Sequence, residues 1–462
     1  MNLLESYKNR LAISESVHQK SHNGAKMSSQ KKLMIAAVLN NTSKFMNEAF
    51  ESSAATQRSA LGDYKKFCLN VSTVALPNLI LPELMLTQPM TSITGYVTYL
   101  RYTAGTAKGG VEKDQMFGSV YRHGEMNEDR TRYTSDRVVE TLGADLKLAW
   151  TPVAEIVKVD GVALTDEQKA NIEIAEDGTI TDSNEIAVIK SGAKVAYIYD
   201  NVVIPQNNKP TALPTLKAAM DAIDLHAHAR RIAIYYSQIA AFQAKTDYGY
   251  DLADQLSTQA QGELAYEIDT EGVLMLNEGA EEDASLIFTS YEKANQNAYI
   301  SRSQYYEFFN EYIARAKKII YQRTQKFAPN YMVVGANVLT IMPYVKGWTA
   351  APASSVNGPY YAGSVDGIKV YCSPSIDENR FFFGVNGSDL QTSAAVYAPY
   401  MAVVPTQLLG FADGGMSQGF STMYDMKLLS TYNGKWADGS NEDAKDGQYS
   451  YLLVAGKFDC AE

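Results

Sequence analysis

The stretch from Ala104 to Arg132 sets the first limit on what this chain can fold into. It follows a strand-like run, Thr94 to Thr103, in which Tyr96, Val97, Tyr99 and Tyr102 supply β-forming side chains. It is built of Gly, Lys, Asp, Glu and Arg with little apolar material, and it is far too long for a hairpin turn. Such a segment has to protrude, and Val138 onward reads as the strand that returns from it. An isolated hairpin is marginal in water, so the projection needs a support, and a neighbouring subunit is the obvious one. The chain is therefore expected to be a body with a projecting loop rather than a closed globule.

The rest of the pattern supplies that body. Pro77 to Pro89 is an extended connector, because each proline drives its predecessor out of the helical region. Leu146 to Pro205 alternates short apolar pieces (Ile156–Val159, Ile172–Ile174, Ile186–Ile189, Val195–Tyr199) with turns at Asp160-Gly161, Asp177-Gly178 and Ser191-Gly192, which predicts a small inserted β module. Leu225 to Phe242 is ambiguous between strand and helix. Asp251 to Asn277 predicts a helix: Leu252, Leu256, Ala260, Leu264 and Ile268 fall four apart, Asp251 caps it and Gly279 ends it. A second helix is expected over Ser303 to Gln325, with Tyr305, Phe309, Tyr312, Ala316 and Ile319 on one face. From Asn330 the pattern is mixed: strands at Tyr331–Val334, Ile368–Cys372, Phe381–Val385, Ala394–Val404, Phe420–Ser430 and Tyr449–Phe458, a short helix over Asn337 to Val345, and a glycine-rich loop from Gly410 to Gly419. The overall class is α+β.

Charge divides the chain. The 41 basic and 52 acidic residues give a net charge of −11. Residues 1–66 nevertheless hold ten basic against five acidic side chains, or +5, which leaves −16 for the remainder. The arm within them predicts a helix with Met34, Val38, Phe45 and Ala49 on one face, capped by Ser28 or Ser29. An acidic body argues against a protein that wraps nucleic acid tightly. A basic arm on an acidic body means that the two face different surroundings, with Lys20, Lys26, Lys31 and Lys32 among the arm's cations; a segment that only packs on its own subunit is the plain alternative. The 31 tyrosines point to interfaces, since Tyr joins a large apolar body to a polar tip.

No catalytic chemistry stands out. Ala104 to Gly110 lacks the Gly-Lys-Ser/Thr ending of a phosphate loop. His226 and His228 share a strand face without a third ligand. Cys68, Cys372 and Cys460 stand alone, and Asp438 to Gly447 matches a calcium loop only in composition. No cofactor and no metal are expected, the chain is read as not an enzyme, and no membrane span is expected because Val71 to Leu86 is broken by Pro77, Asn78, Pro82 and Glu83.

In combination, several segments resemble the major capsid proteins of T-even-like contractile-tailed phages. They are Pro77-Asn-Leu-Ile80, Gln88-Pro-Met90, Thr94-Gly-Tyr-Val-Thr-Tyr-Leu-Arg101 with Gly105 and Gly109-Gly110, Asn330-Tyr-Met-Val-Val-Gly-Ala-Asn-Val-Leu339, Arg380-Phe-Phe-Phe-Gly-Val385, Ala395-Val-Tyr-Ala-Pro-Tyr-Met-Ala-Val-Val404 and Gly419-Phe-Ser-Thr-Met-Tyr424. The resemblance implies the Hong Kong 97-type capsid fold: an N-terminal arm over 1–92, an E-loop over 93–145, the inserted β module over 146–210, a P-domain over 211–329 with its spine helix at 251–277, an A-domain over 330–393, returning P-domain strands over 394–434 and a C-terminal strand over 435–462. The β module and the basic arm depart from the family pattern, which marks a distant member.

The same resemblance implies a head shell, icosahedral or prolate, that encloses double-stranded DNA and is assembled in the host cytoplasm. The implied partners are further copies in hexameric and pentameric capsomers, together with scaffolding, portal and decoration proteins, while DNA is contacted non-specifically at most; in such a shell the basic arm lies inside, with Lys20, Lys26, Lys31 and Lys32 expected to meet packaged genome phosphates or the acidic body of a neighbour. Lys108, Gly109, Gly110, Arg122, Arg130 and Arg132 become the expected inter-subunit contacts of the E-loop. Leu3-Leu-Glu5 and Ile13-Ser-Glu15 fit the short pattern such proteins present to a phage protease, as do Ile174-Ala-Glu176 and Ile376-Asp-Glu378. The alternatives are a pentameric vertex protein, an encapsulin-like compartment shell, or a tail or baseplate binding component.

Overall fold

The computed structural model describes residues 3–21, 26–51, 69, 73, 76–108, 113, 116–117, 133–150, 153–175, 177–182, 189–199, 213–249, 251–294, 300–324, 326–352, 358–390, 392–406, 409–429, 431–432 and 449–460. They divide into two compact units, one of residues 1–97 and 222–462 and the other of residues 98–221. The chain passes from the first to the second within the strand Thr94–Ala104 and returns within the strand Leu216–His226.

The first unit carries two sheets. In one, Leu86–Thr87 runs parallel to Ala395–Pro405, which pairs antiparallel with Gly415–Leu428, which pairs antiparallel with His228–Ser237. Ala395–Pro405 is buried at every position but Tyr400, as befits an uninterrupted apolar run. The helix Leu252–Glu278 packs on this sheet through Ala260 and Leu264, which meet Ile234, Tyr236, Val403 and Phe420. It begins where the sequence places it: the Asp251 carboxylate accepts from the amides of Ala253 at 3.0 Å and Asp254 at 3.4 Å, and Gly279 follows the last turn. Gly272 on this helix lies against Leu81, which is fully buried; a Cβ there would stand 2.2 Å from a Leu81 methyl.

The second sheet has the order 281–289, 453–459, 380–384, 331–334, 368–372, 360–365, 349–350. It therefore takes a strand from each side of the 330–393 stretch. The helix Phe309–Thr324 covers it. Phe288 is the hub of the packing, with ring centroids 5.0 Å from Tyr312, 5.4 Å from Phe309, 5.5 Å from Tyr305 and 5.8 Å from Phe458. The turn between Tyr360–Val365 and Ile368–Cys372 is Asp366-Gly367, both with positive φ, the geometry that favours such a pair in a two-residue hairpin.

The second unit holds the β module. Arg137–Thr141, Lys194–Tyr199, Val153–Val159 and Val162–Ala163 form one sheet in that order, and Ile172–Ile174 pairs with Ile180–Asp182. Its core is Val138, Leu148, Trp150, Ile156, Val195, Tyr197 and Tyr199 with their neighbours.

Several expectations are corrected. Val138 onward is not the strand that returns to Thr94–Thr103; it joins the module by pairing with Lys194–Tyr199, because Val138 is wanted in that core. The sheet neighbours of Thr94–Ala104 are Leu216–His226 and the short Met116–Phe117. Leu225 to Phe242 is both of its alternatives in sequence: strand through Ser237, then the helix Gln238–Asp247. The second helix breaks at Phe308 into Arg302–Glu307 and Phe309–Thr324, and its buried face is Tyr306, Phe309, Ile313, Ala316 and Ile320. In the arm helix Ser29–Glu51, Ser28 is the cap, accepting from the Lys31 amide at 3.2 Å; Met34 and Val38 are buried, but Phe45 is exposed and Met46 packs in its place. The glycine-rich loop is shorter than expected, since the strand Gly415–Leu428 begins inside it. Residues 183–188 and 438–447 lie outside the described residues. The tyrosines do not all face outward: Tyr197, Tyr199, Tyr306, Tyr331, Tyr371 and Tyr397 are among the largest fully buried side chains.

Candidate assembly surfaces

The four arm lysines do not form one basic face. Lys31 is 2% exposed. Its ammonium donates to the Leu79 carbonyl at 2.8 Å and stands 3.4 Å from His18 Nδ1. From the helix Leu252–Glu278, Asp269 grips the same connector, accepting from the amides of Ile80 at 3.1 Å and Leu81 at 3.2 Å. Burial brings the Lys31 ammonium down to about 8, against the pull of Glu83 and Asp269. Burial likewise pushes the Asp269 carboxyl up to about 7, against the amides and Lys31. Lys31 is thus a structural fastener of the connector, and the expectation that it meets phosphate is corrected. Lys32 pairs with Glu15 on the preceding helix at 2.9 Å. Lys26 is exposed, and the Lys20 side chain is outside the described part of its helix.

The expected loop contacts divide in the same way. Gly109, Gly110, Arg122, Arg130 and Arg132 lie outside the described residues. Lys108 is described, and it turns inward. It is 5% exposed, donates to the Tyr199 hydroxyl at 2.5 Å and to the Ser135 carbonyl, and sits 4.2 Å from the Tyr199 ring centroid and 5.1 Å from that of Trp150. A neighbouring subunit has no access to a lysine so placed. Next to it the loop base is closed by Tyr133, whose hydroxyl donates to the Thr215 carbonyl at 2.7 Å, and by Gly105, whose amide donates to the same oxygen at 2.6 Å. Burial brings the Lys108 ammonium down to about 8, with Asp136 opposing. Between about pH 8 and its ordinary 10.5 the unfolded chain then binds the extra proton, so this site gains stability as pH rises through that window. Chemical denaturation of the parent and Lys108→Met at pH 7, 8 and 9.5 checks this. The parent should gain on the variant with rising pH; a constant difference refutes it.

An exposed apolar face, which the sequence alternation left ambiguous, lies in the first unit. The helix Gln238–Asp247 buries only Ala244. Ile239 and Phe242 are 71% and 72% exposed, and Tyr235, Tyr248, Leu409 and Phe411 are exposed beside them in sequence and in the sheet. The face is built rather than loose. The Gln238 amide donates to the Gly414 carbonyl at 3.0 Å, the Tyr235 hydroxyl donates to Asp413 at 3.2 Å, and the Tyr235 and Phe411 rings lie 6.2 Å apart. Exposed large apolar side chains on a hydrogen-bonded strand and helix of this kind mark a contact surface.

His226 and His228 have ring centroids 5.0 Å apart, but no group of three His, Cys, Asp or Glu side chains suited to a metal occurs among the described residues. Among them, too, no helix is long and apolar enough to cross a membrane.

A sequence profile of the major capsid protein Gp23 matches residues 62–454, most of the chain. The chain belongs to the Gp23 major capsid protein family. This Gp23-family subunit is a structural protein of the phage capsid shell, its place is the virion capsid, and its fold mixes helices and strands as the expected α+β class requires. The arm helices described through Glu51 precede the matched residues. No curated protein sequence matches the chain. It is similar to solved structures including the capsid of Myoviridae phage XM1, at 10% identity over 55% of this chain and 81% of that one with a TM-score of 0.35. A structure from Mycobacterium phage Che8 has 14% identity over 52% and 74% with a TM-score of 0.33. The holo-SrpI encapsulin complex from Synechococcus elongatus PCC 7942 has 10% identity over 52% and 77% with a TM-score of 0.31. The family assignment stands on the sequence match.

Proposed function

We propose that the subunit builds its shell as hexameric and pentameric capsomers, with the apolar face around Gln238–Asp247 and the projecting E-loop as its contacts with neighbours. The observation that carries this is the exposure of Ile239 and Phe242 on a helix whose first amide is bonded to the Gly414 carbonyl, and of Tyr248 at the helix end. A shell subunit has a use for such a face, whereas an isolated soluble molecule is destabilised toward aggregation by it. On this reading Arg122, Arg130 and Arg132 of the loop set register and not strength, since exposed ion pairs contribute only about 0–1 kcal/mol each. Lys108 holds the loop base instead of touching a neighbour.

The arm contributes little to genome binding on this reading. With Lys31 buried and Lys32 paired, Lys26 and Lys20 remain as inward cations, and the acidic body discourages DNA adhesion during packaging. Scaffolding, portal and decoration proteins are the further partners. We assign the subunit no reaction and no cofactor.

Electron microscopy of the purified protein tests this. Closed icosahedral or prolate shells are expected. Fibres, open tubes or monomers at concentrations where related subunits assemble would overturn it.

A further inference from the structure

We infer that the inserted β module is the brace of the projecting loop: its Trp150 and Tyr199 wall a slot for an alkylammonium group, and Lys108 of the loop's stem fills that slot. This rests on the reading of the loop as a contact between subunits, and names what positions it.

The chain crosses one small region repeatedly. The strand Thr94–Ala104 ends there, residues 105–108 lead into the stretch read as the projecting loop, and residues 133–136 lead out of it. The module begins there at Arg137 and ends there at Tyr199, since Arg137 pairs with Ile198 and the Tyr199 amide donates to the Asp136 carbonyl at 3.0 Å. All of these residues belong to one compact unit. Two layers of contacts join the crossings. In the first, the Thr215 carbonyl accepts from the Gly105 amide and the Tyr133 hydroxyl, the Thr215 amide donates to Thr106 Oγ1 at 3.3 Å, and Thr106 Oγ1 lies 3.0 Å from the Tyr133 hydroxyl. Ala104 and Tyr133, both buried, pack together beside them. The second layer is Lys108. Its ammonium donates to the Ser135 carbonyl across the stem and to the Tyr199 hydroxyl at the end of the module. One side chain therefore ties the outgoing stem to the returning stem and to the module.

The slot is built by the module and not by the loop. Trp150 and Tyr199 belong to the module core, with ring centroids 5.5 Å apart. The Trp150 amide donates to the Tyr197 hydroxyl at 3.2 Å, and that hydroxyl donates to Glu140 at 3.1 Å. The walls are thus fixed by contacts that do not involve the lysine. The ammonium lies 4.2 and 5.1 Å from the two ring centroids, inside the roughly 6 Å within which an aromatic face attracts a cation. Asp136 adds the pull of an opposite charge. Lysine is almost never this deeply buried unless partners replace its water, and here two rings, a carbonyl and a hydroxyl do so. A methionine or leucine in the stem would fill the same space at no such cost. It would also lack direction, because apolar contact is non-directional whereas charge-assisted hydrogen bonds fix a geometry. The lysine therefore sets where the loop's two ends stand, which a contact that recurs in every copy needs.

Chemical rescue tests the slot. Lys108→Ala is made in full-length protein that also carries Trp348→Phe and Trp436→Phe, so that Trp150 is its one tryptophan. Added n-butylammonium should change the Trp150 emission saturably, and should leave the same protein with Lys108 in place unchanged. Butanol should do nothing, because the carbonyl, the hydroxyl and the ring faces select the charge. No response to the amine, or an equal response to the alcohol, overturns the slot. Should the alanine variant not fold, a denaturation cycle of Lys108→Met and Tyr199→Phe decides instead. The double variant should be at least as stable as Lys108→Met, since the buried hydroxyl has already lost its donor; additive losses contradict the slot. Shell yield, read by electron microscopy, tests the brace. Lys108→Ala and Lys108→Met should each lower it about tenfold, the effect of about 1.4 kcal/mol in a contact. Butylammonium should restore the alanine variant, which a general loss of stability would not allow. Undiminished yields from both variants overturn the brace alone, and the absence of shells from the parent overturns the shell reading itself.

Discussion

Replacing Ile239 and Phe242 together with glutamate should leave a folded subunit that no longer forms shells. Both side chains are more than two thirds exposed on a helix whose only buried residue is Ala244, so neither supports the subunit's own core. Exposed substitutions of this kind change stability by no more than about 0.5 kcal/mol. In a contact the reverse holds. Each large apolar side chain removed from water contributes about 1.5–3 kcal/mol, and an unpaired carboxylate in its place adds a desolvation penalty of its own. The loss recurs at every copy of the contact in a closed shell, so assembly fails as a whole. Size-exclusion chromatography and negative-stain microscopy read the outcome, with circular dichroism confirming an unchanged fold. Wild-type yields of shells from the double variant would show that this face is not a contact.

That face also illustrates what the sequence discloses. The helix Leu252–Glu278 was legible from one strand of information, the fourfold spacing from Leu252 to Ile268 with Asp251 before it and Gly279 behind, because packing, capping and termination agree there. Tyr331–Val334 and Ile368–Cys372 were legible for the same reason. Leu225 to Phe242 was not, since its alanines and alternating Ile and Tyr suit either period, and the switch from strand to helix at Ser237 is fixed by the hydrogen bond from Gln238 to Gly414, far away in the sequence. The returning strand at Val138 was misplaced because local alternation says that a strand exists but not which partner its side chains need; the module core holding Val195 and Tyr197 decides it. Lys31 was read as a cation of the inward basic arm and Lys108 as an inter-subunit contact, both with the exposed ammonium that is the usual fate of lysine. Their burial depends on carbonyls and a hydroxyl brought from distant positions, Leu79 in one case and Ser135 and Tyr199 in the other, and no spacing announces these. The membership in the capsid family was legible through ordered motifs, while the surfaces that join subunits had to wait for exposure to be known.

The largest stability effect expected within one subunit is at Arg323. It lies in the last turn of the helix Phe309–Thr324, is 8% exposed, and donates to Glu281 Oε2 at 2.6 Å and to the Leu453 carbonyl at 3.0 Å. Those two partners sit on adjacent parallel strands, Glu281–Thr289 and Leu453–Asp459, so one guanidinium ties the helix end to the start of both. Arg323→Ala removes the tie and strips Glu281, itself 19% exposed, of this cation. Breaking a buried pair by deleting one member costs about 3–5 kcal/mol, much of it from the charge left behind. Replacing both members by apolar residues of similar volume, Arg323→Met with Glu281→Leu, should therefore recover most of the loss. The distinction matters because the same helix also packs on Phe288 and Phe381, and a cost due only to lost packing would not be relieved by a second substitution on a strand. Chemical denaturation of the parent, both single variants and the double variant closes the cycle. A double variant as unstable as Arg323→Ala would mean that the arginine acts through its packing and its bond to Leu453, and that its ion pair with Glu281 contributes little.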